Sequence, residues 1–93
     1  MRSTGQILTP ESLQLIERVA RTGSLAAAAR ELGLVPSALT YRVRQMEDAL
    51  DVLLFDRSAR KIRLTDAGEE LMREGQRILA DLDAVANRVK RVA

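Results

Sequence analysis

From residue 65 onward the sequence reads as one long helix with an apolar stripe that the rest of the chain is too small to cover. Thr65-Asp66 offers an N-cap, and Leu71, Gly75, Ile78, Leu82, Val85, Val89 and Val92 then step by four, three, four, three, four and three. That is a seven-residue repeat interrupted only by the glycine. Roughly 26 residues at ~1.5 Å each make a rod about 40 Å long. A chain of 93 residues buries about two-thirds of its extended surface on folding, enough to hide the first turns of such a rod and little more. The stripe therefore needs a partner helix. The expectation is a homodimer through Leu71, Ile78, Leu82, Val85 and Val89, joined by Leu15, which lies off the main stripe of an earlier helix.

The residues before this rod are punctuated into three short helices. Thr9-Pro10-Glu11 supplies an N-cap, a proline at the first helical position and an acid where the macrodipole favours it, and Leu8 and Leu13 are spaced as a hydrophobic staple. Leu13, Ile16, Val19 and Ala20 repeat at helical spacing until Gly23, predicting a helix over 10–22. Ser24 caps the next, an alanine-rich stretch over 25–32 that Gly33 ends. Pro36 opens a third over about 36–50, with Leu39, Val43, Met46 and Leu50 facing inward. Its other face presents Ser37, Thr40, Tyr41 and Arg44 together, away from the core. Two hydroxyls, a phenol and a guanidinium suit hydrogen bonding to base edges and phosphates.

Residues 52–55 form a β-branched and aromatic run, and Ile62-Arg63-Leu64 alternates as a half-buried strand does. Residues 57–61 become the loop of a two-stranded hairpin with a basic tip, and the hairpin must lean on the helical core to be stable. The compact unit is thus residues 1–65, and residues 66–93 are its extension.

Composition narrows the function. With no Cys and no His, the chain lacks disulfides, thiolate nucleophiles, imidazole triads and the usual zinc ligand sets, so no metal site and no cofactor are expected. An enzymatic reading would need a carboxylate pair in a cleft, such as Glu47 with Asp51, which lie one helical turn apart without an obvious pocket; the expectation is a non-enzyme. No apolar run is long enough for a membrane span, and residues 1–5 carry no secretory h-region, so the sequence reads as cytoplasmic. Residues 1–65 hold ten Lys/Arg against seven Asp/Glu, whereas residues 66–93 hold five against six. The excess is concentrated at Arg42 and Arg44, and at Arg57, Arg60, Lys61 and Arg63, two foci that suggest a polyanion.

Helix, helix, turn, helix and basic hairpin is the order of a winged helix-turn-helix: a mainly α fold of three helices and a two-stranded β hairpin, followed here by the long dimerisation helix. Each part fits double-stranded DNA. The third helix would enter the major groove, the second would aim its N-terminus at a phosphate near Ser24, and the tip with Arg60 and Lys61 would reach an adjacent groove or the backbone. Arg57 fits either a DNA contact or a pairing with Asp56 or Glu47. Twofold pairing of the long helix would place two reading helices a fixed distance apart, on a near-palindromic site. The alternative is a protein-binding dimerisation module with a winged-helix outline.

The stretch GSLAAAARELGLVPSALTYRVRQMEDALDVLLFDRSARKIRLTDAG closely resembles the N-terminal DNA-binding domain of LysR-type transcriptional regulators, a bacterial family. The similarity runs from about Leu13 to the end. It is carried by Gly23-Ser24 with the alanine run, Ser37-Ala38-Leu39-Thr40, Met46-Glu47 with Leu50, Leu54-Phe55-Asp56-Arg57 and Leu64-Thr65-Asp66-Ala67-Gly68. The resemblance implies dimers or tetramers whose long helices pair antiparallel, and a C-terminal domain that senses a small molecule. The effector-binding domain is absent from this chain, which is expected to be a truncated DNA-reading portion or, alternatively, a natural single-domain member. It also implies base reading by Pro36, Ser37, Thr40 and Tyr41, with Arg44 further along. The sequence departs from the family pattern with Val35 where a serine is common, Pro36 for glutamine, Thr40 for serine, Tyr41 for arginine and Asp51 for glycine. Losing the serine removes an N-cap, and a tyrosine cannot make the paired guanine contact of an arginine, so no base preference transfers.

Overall fold

Helix α1 (Pro10–Thr22) begins at Thr9, whose hydroxyl accepts from the Ser12 backbone N–H at 3.1 Å while the Ser12 hydroxyl accepts from the Thr9 N–H at 3.2 Å. This reciprocal capping box satisfies two of the donors that a helix start leaves open. The computed structural model describes residues 7–58 and 60–93, so the reading of residues 1–5 and of Ala59 in the hairpin loop falls outside the described residues. Gly23 ends α1 at φ 70°, Ser24 caps α2 (Leu25–Leu32) through the Ala27 N–H, and Gly33 ends α2, again at φ 70°. Both glycines occupy the left-handed region that they alone adopt at little cost.

Helix α3 (Pro36–Leu50) starts without a side-chain cap, because Val35 stands at that position, and ends at Asp51 with φ 57°. Asp51 is the one non-glycine residue with positive φ among the described residues, and aspartate tolerates that conformation better than most side chains do. The core lies where α1, α2 and α3 converge: Ile16, Val19, Leu39, Val43 and Leu54 are fully buried, and buried Ala28 and Ala29 let α2 approach closely.

Strands β1 (Phe55–Asp56) and β2 (Arg63–Leu64) pair antiparallel, Phe55 opposite Leu64 and Asp56 opposite Arg63. The hairpin is shorter than expected from residues 52–55 and 62–64. Three off-ladder partners explain this. The Glu47 carboxylate accepts from the Leu54 N–H, the Thr65 hydroxyl donates to the Leu53 carbonyl, and the Ile62 N–H donates to the Gly23 carbonyl. Backbone groups already satisfied in this way do not join a ladder, and Val52 and Leu53 are left exposed.

Helix α4 (Asp66–Val92) is capped by Thr65, whose hydroxyl also accepts from the Gly68 N–H at 3.0 Å. Two glycines dock its first turns. A Cβ on Gly68 would lie 2.2 Å from the Leu54 carbonyl oxygen, and one on Gly75 would lie 2.8 Å from Leu13 Cδ2. Met72 is buried and Leu71 is half-buried against the core, while Ile78, Leu82, Val85, Val89 and Val92 are exposed, from 47% at Leu82 to 90% at Val92. The reading of Leu15 as a partner-facing residue is corrected: it is 4% exposed and sits in this chain's own core with Ile7 and Met46, because the apolar arc of α1 is wide enough to bury it. Leu71 likewise serves the chain's own core, so the uncovered stripe starts at Ile78. No helix of the described residues is long and apolar enough to cross a membrane.

Candidate nucleic-acid interface

The outward face of α3 carries Ser37, Tyr41 and Arg44 exposed, with Pro36 exposed at its start and Thr40 half-buried at its edge. The Tyr41 hydroxyl accepts from Gln45 Nε2 at 3.2 Å, one turn along, and the ring keeps 62% of its surface open rather than lying against the turn or the hairpin. The same face ends in acids: Asp48 and Asp51 line a surface depression with Arg44, Arg57, Val52 and Leu53. A polyanion could approach the first half of α3 but would be repelled beyond Arg44.

Ion pairing sorts the basic residues. Arg18 and Arg21 share Glu17 and Glu31, Arg42 lies 3.7 Å from Glu11, Arg73 pairs with Glu70 and Arg77 with Glu74. Among the described residues, Arg30, Arg44, Arg57, Arg60, Lys61 and Arg63, and Arg88, Lys90 and Arg91 near the end of α4, have no acidic partner within 4 Å, and all nine are exposed. These exposed pairs add little stability, but each neutralises a cation that would otherwise add to the field. Arg42, which helped to define one basic focus in the sequence, is thereby subtracted from it, and Arg30 on α2 is a further unpaired cation.

Both acids that could have paired with Arg57 are occupied elsewhere. Glu47 is buried and accepts from the backbone N–H groups of Leu54 at 2.8 Å and Phe55 at 3.4 Å. It therefore acts as a structural anchor, although with Asp51 it lines the surface depression at the end of α3. Asp56 accepts from the Ser58 hydroxyl at 2.6 Å and its N–H at 2.9 Å. The Ser58 hydroxyl first, then its N–H, hold the Asp56 carboxyl below the ordinary aspartate range; slight desolvation opposes them and the Arg63 charge assists. This turn shapes the first side of the wing loop and leaves Arg57 unpaired.

The wing is also tied to the start of α2. The Lys61 stem packs over Gly23, its Cδ 3.5 Å from where a Cβ there would stand, and the adjacent Ile62 N–H bonds the Gly23 carbonyl at 3.1 Å. The Ser24 hydroxyl accepts from the Ala27 N–H and keeps its own O–H to donate, so an anion at that helix start would meet this hydroxyl together with backbone N–H groups.

A sequence profile of the bacterial regulatory helix-turn-helix proteins of the lysR family matches residues 10–69. The chain belongs to the LysR family. The relative YhaJ of Escherichia coli K12, a probable HTH-type transcriptional regulator, is 42% identical over 86 residues, covering 92% of this chain and 29% of YhaJ. PunR of the same strain, an HTH-type transcriptional regulator, is 42% identical over 82 residues, 88% of this chain and 26% of PunR. The chain thus spans under a third of the length of these relatives. The solved structure of the CbnR DNA-binding domain in complex with DNA aligns with a TM-score of 0.83 at 30% identity, covering 91% of this chain and 98% of that one. A full-length BenM mutant shares the fold, with a TM-score of 0.85 at 22% identity over 92% of this chain and 28% of BenM.

Proposed function

We propose that this chain is the DNA-reading and dimerising part of a LysR-type transcriptional regulator, binding double-stranded DNA sequence-specifically as a homodimer. The observation that carries this reading is the sorting of charge. Acids neutralise the arginines of α1 and the first turns of α4, while Arg44 on α3 and Arg57, Arg60, Lys61 and Arg63 on the wing stay unpaired, and α3 presents exposed Pro36, Ser37 and Tyr41 with half-buried Thr40 at the edge of the row. The likeness to the CbnR domain bound to DNA supports it. In this arrangement α3 enters the major groove by its first half, the N–H groups at the start of α2 meet a phosphate, and the wing tip lies at an adjacent groove or backbone.

The uncovered stripe of α4 supports the homodimer. Ile78, Leu82, Val85 and Val89 form a seam that helix pairing would bury, and a twofold mate would repeat the reading helix on a near-palindromic site. DNA binding is tested by the salt dependence of affinity for duplex DNA, followed by fluorescence anisotropy. Neutralising several phosphates makes log affinity fall linearly with log salt, by nearly one unit of slope per phosphate. A flat salt response would instead favour a protein-binding module.

A further inference from the structure

The leading end of α3 differs chemically from the rest of its outward face. Between Gly33 and Tyr41 there is no Arg, Lys, Asn or Gln, the side chains that make paired hydrogen bonds to guanine or adenine in the major groove. Arg42 follows, but it is drawn to Glu11, so the first unpaired guanidinium is that of Arg44, eight residues or about 12 Å along the axis from Pro36. What stands at the leading end is apolar. Val35 exposes 63% of its surface, Pro36 is exposed beside it, and the Tyr41 ring exposes 62%. Val35 does little for the fold there: it caps no N–H, where a serine or aspartate would.

In the major groove the apolar feature that distinguishes one base pair from another is the 5-methyl group of thymine. We infer that Val35 and Tyr41 read thymine methyl groups, so that each half-site places A·T pairs beneath the start of α3. The inference rests on the DNA-binding reading above and adds the kind of base selected. The Gln45 bond to the Tyr41 hydroxyl steadies the phenol, leaving the ring edge as the contacting surface. Ser37, exposed on the same end, serves either a phosphate or a neighbouring base edge.

The test starts by selecting duplexes from a randomised library with the 93-residue chain. The enriched duplex is then resynthesised with deoxyuridine at each thymine of one half-site in turn, which removes only the methyl group. The expected result is that at least two replacements each weaken binding about fourfold, the equivalent of one buried methyl group. Val35→Ser, which restores a helix cap and so keeps the fold, should bring the thymine-to-deoxyuridine ratio at one position to about one while DNA binding persists; Tyr41→Ser should do so at another. Uniform tolerance of deoxyuridine at every thymine overturns the inference and leaves DNA binding standing, as does full retention of the wild-type ratios by both variants. Failure to enrich any duplex overturns the DNA-binding reading itself.

Discussion

The buried carboxylate of Glu47 accepts a 2.8 Å hydrogen bond from the Leu54 N–H, locking the end of α3 to the start of the hairpin. Two elements that would meet DNA at different places are thereby held in one geometry by a single side chain. Glu47→Ala leaves that N–H without its charged acceptor and should cost about 2–3 kcal/mol, whereas Glu47→Gln, which keeps an acceptor, should cost about 1 kcal/mol or less. Denaturant unfolding at equal chain concentration measures both, and equal stability of Glu47→Ala and wild type would show that the bond holds nothing.

Gly68→Ala and Gly75→Ala should separate although both gain about 1 kcal/mol of helix propensity. At Gly68 the new methyl group meets the Leu54 carbonyl oxygen at 2.2 Å, backbone that cannot yield; a net loss of about 2 kcal/mol or more is expected. At Gly75 it meets the end of the flexible Leu13 side chain, and the net change should lie within about 1 kcal/mol. The same unfolding measurement checks this, and an equal effect at the two sites would contradict the packing of α4 on the Leu54 backbone.

Much of the helical frame was legible because its determinants are local. Thr9-Pro10, Gly23-Ser24, Gly33, Pro36 and Thr65-Asp66 mark boundaries by capping chemistry among near neighbours, and the helices fall at those positions. Distant partners were not legible. Leu15 is buried rather than facing a second chain, since spacing reveals an apolar face and not what covers it. The wing is short because Glu47, Thr65 and Gly23 take backbone groups from residues 7, 12 and 39 positions away. The candidate interface was legible as a row on α3, but the sorting that neutralises Arg42 and leaves Arg44 and Arg57 unpaired depends on which acids the fold brings near.

Ser58→Ala should raise the titration midpoint of Asp56 toward the ordinary aspartate range, as followed by carboxyl NMR shifts. The folded carboxyl titrates below its unfolded value, so its contribution is present above the ordinary range and is lost as pH falls through the lowered midpoint. An unchanged midpoint in Ser58→Ala would show that the serine is not what holds the carboxylate.

Arg60→Ala should weaken binding on every duplex and reduce the salt slope by about one, whereas Thr40→Ala and Tyr41→Ala should change relative preference among sequences. Anisotropy titrations over a panel of duplexes at several salt concentrations distinguish the two behaviours. Uniform losses for all three variants would mean that the α3 row does not specify bases.

Leu82→Glu places a charge in the centre of the uncovered α4 stripe and should convert a dimer to a monomer by light scattering, with the three-helix unit still folded by circular dichroism. A variant that remains dimeric would contradict pairing through this seam.

The most direct measurement is an amide chemical-shift map of the chain during titration with duplex DNA. Changes are expected to concentrate at residues 36–44 of α3, at the start of α2 and at Arg57, Arg60 and Lys61, with residues 78–92 little affected. Changes confined to α4 or to the Arg18–Glu31 cluster, or none at all, would contradict the account.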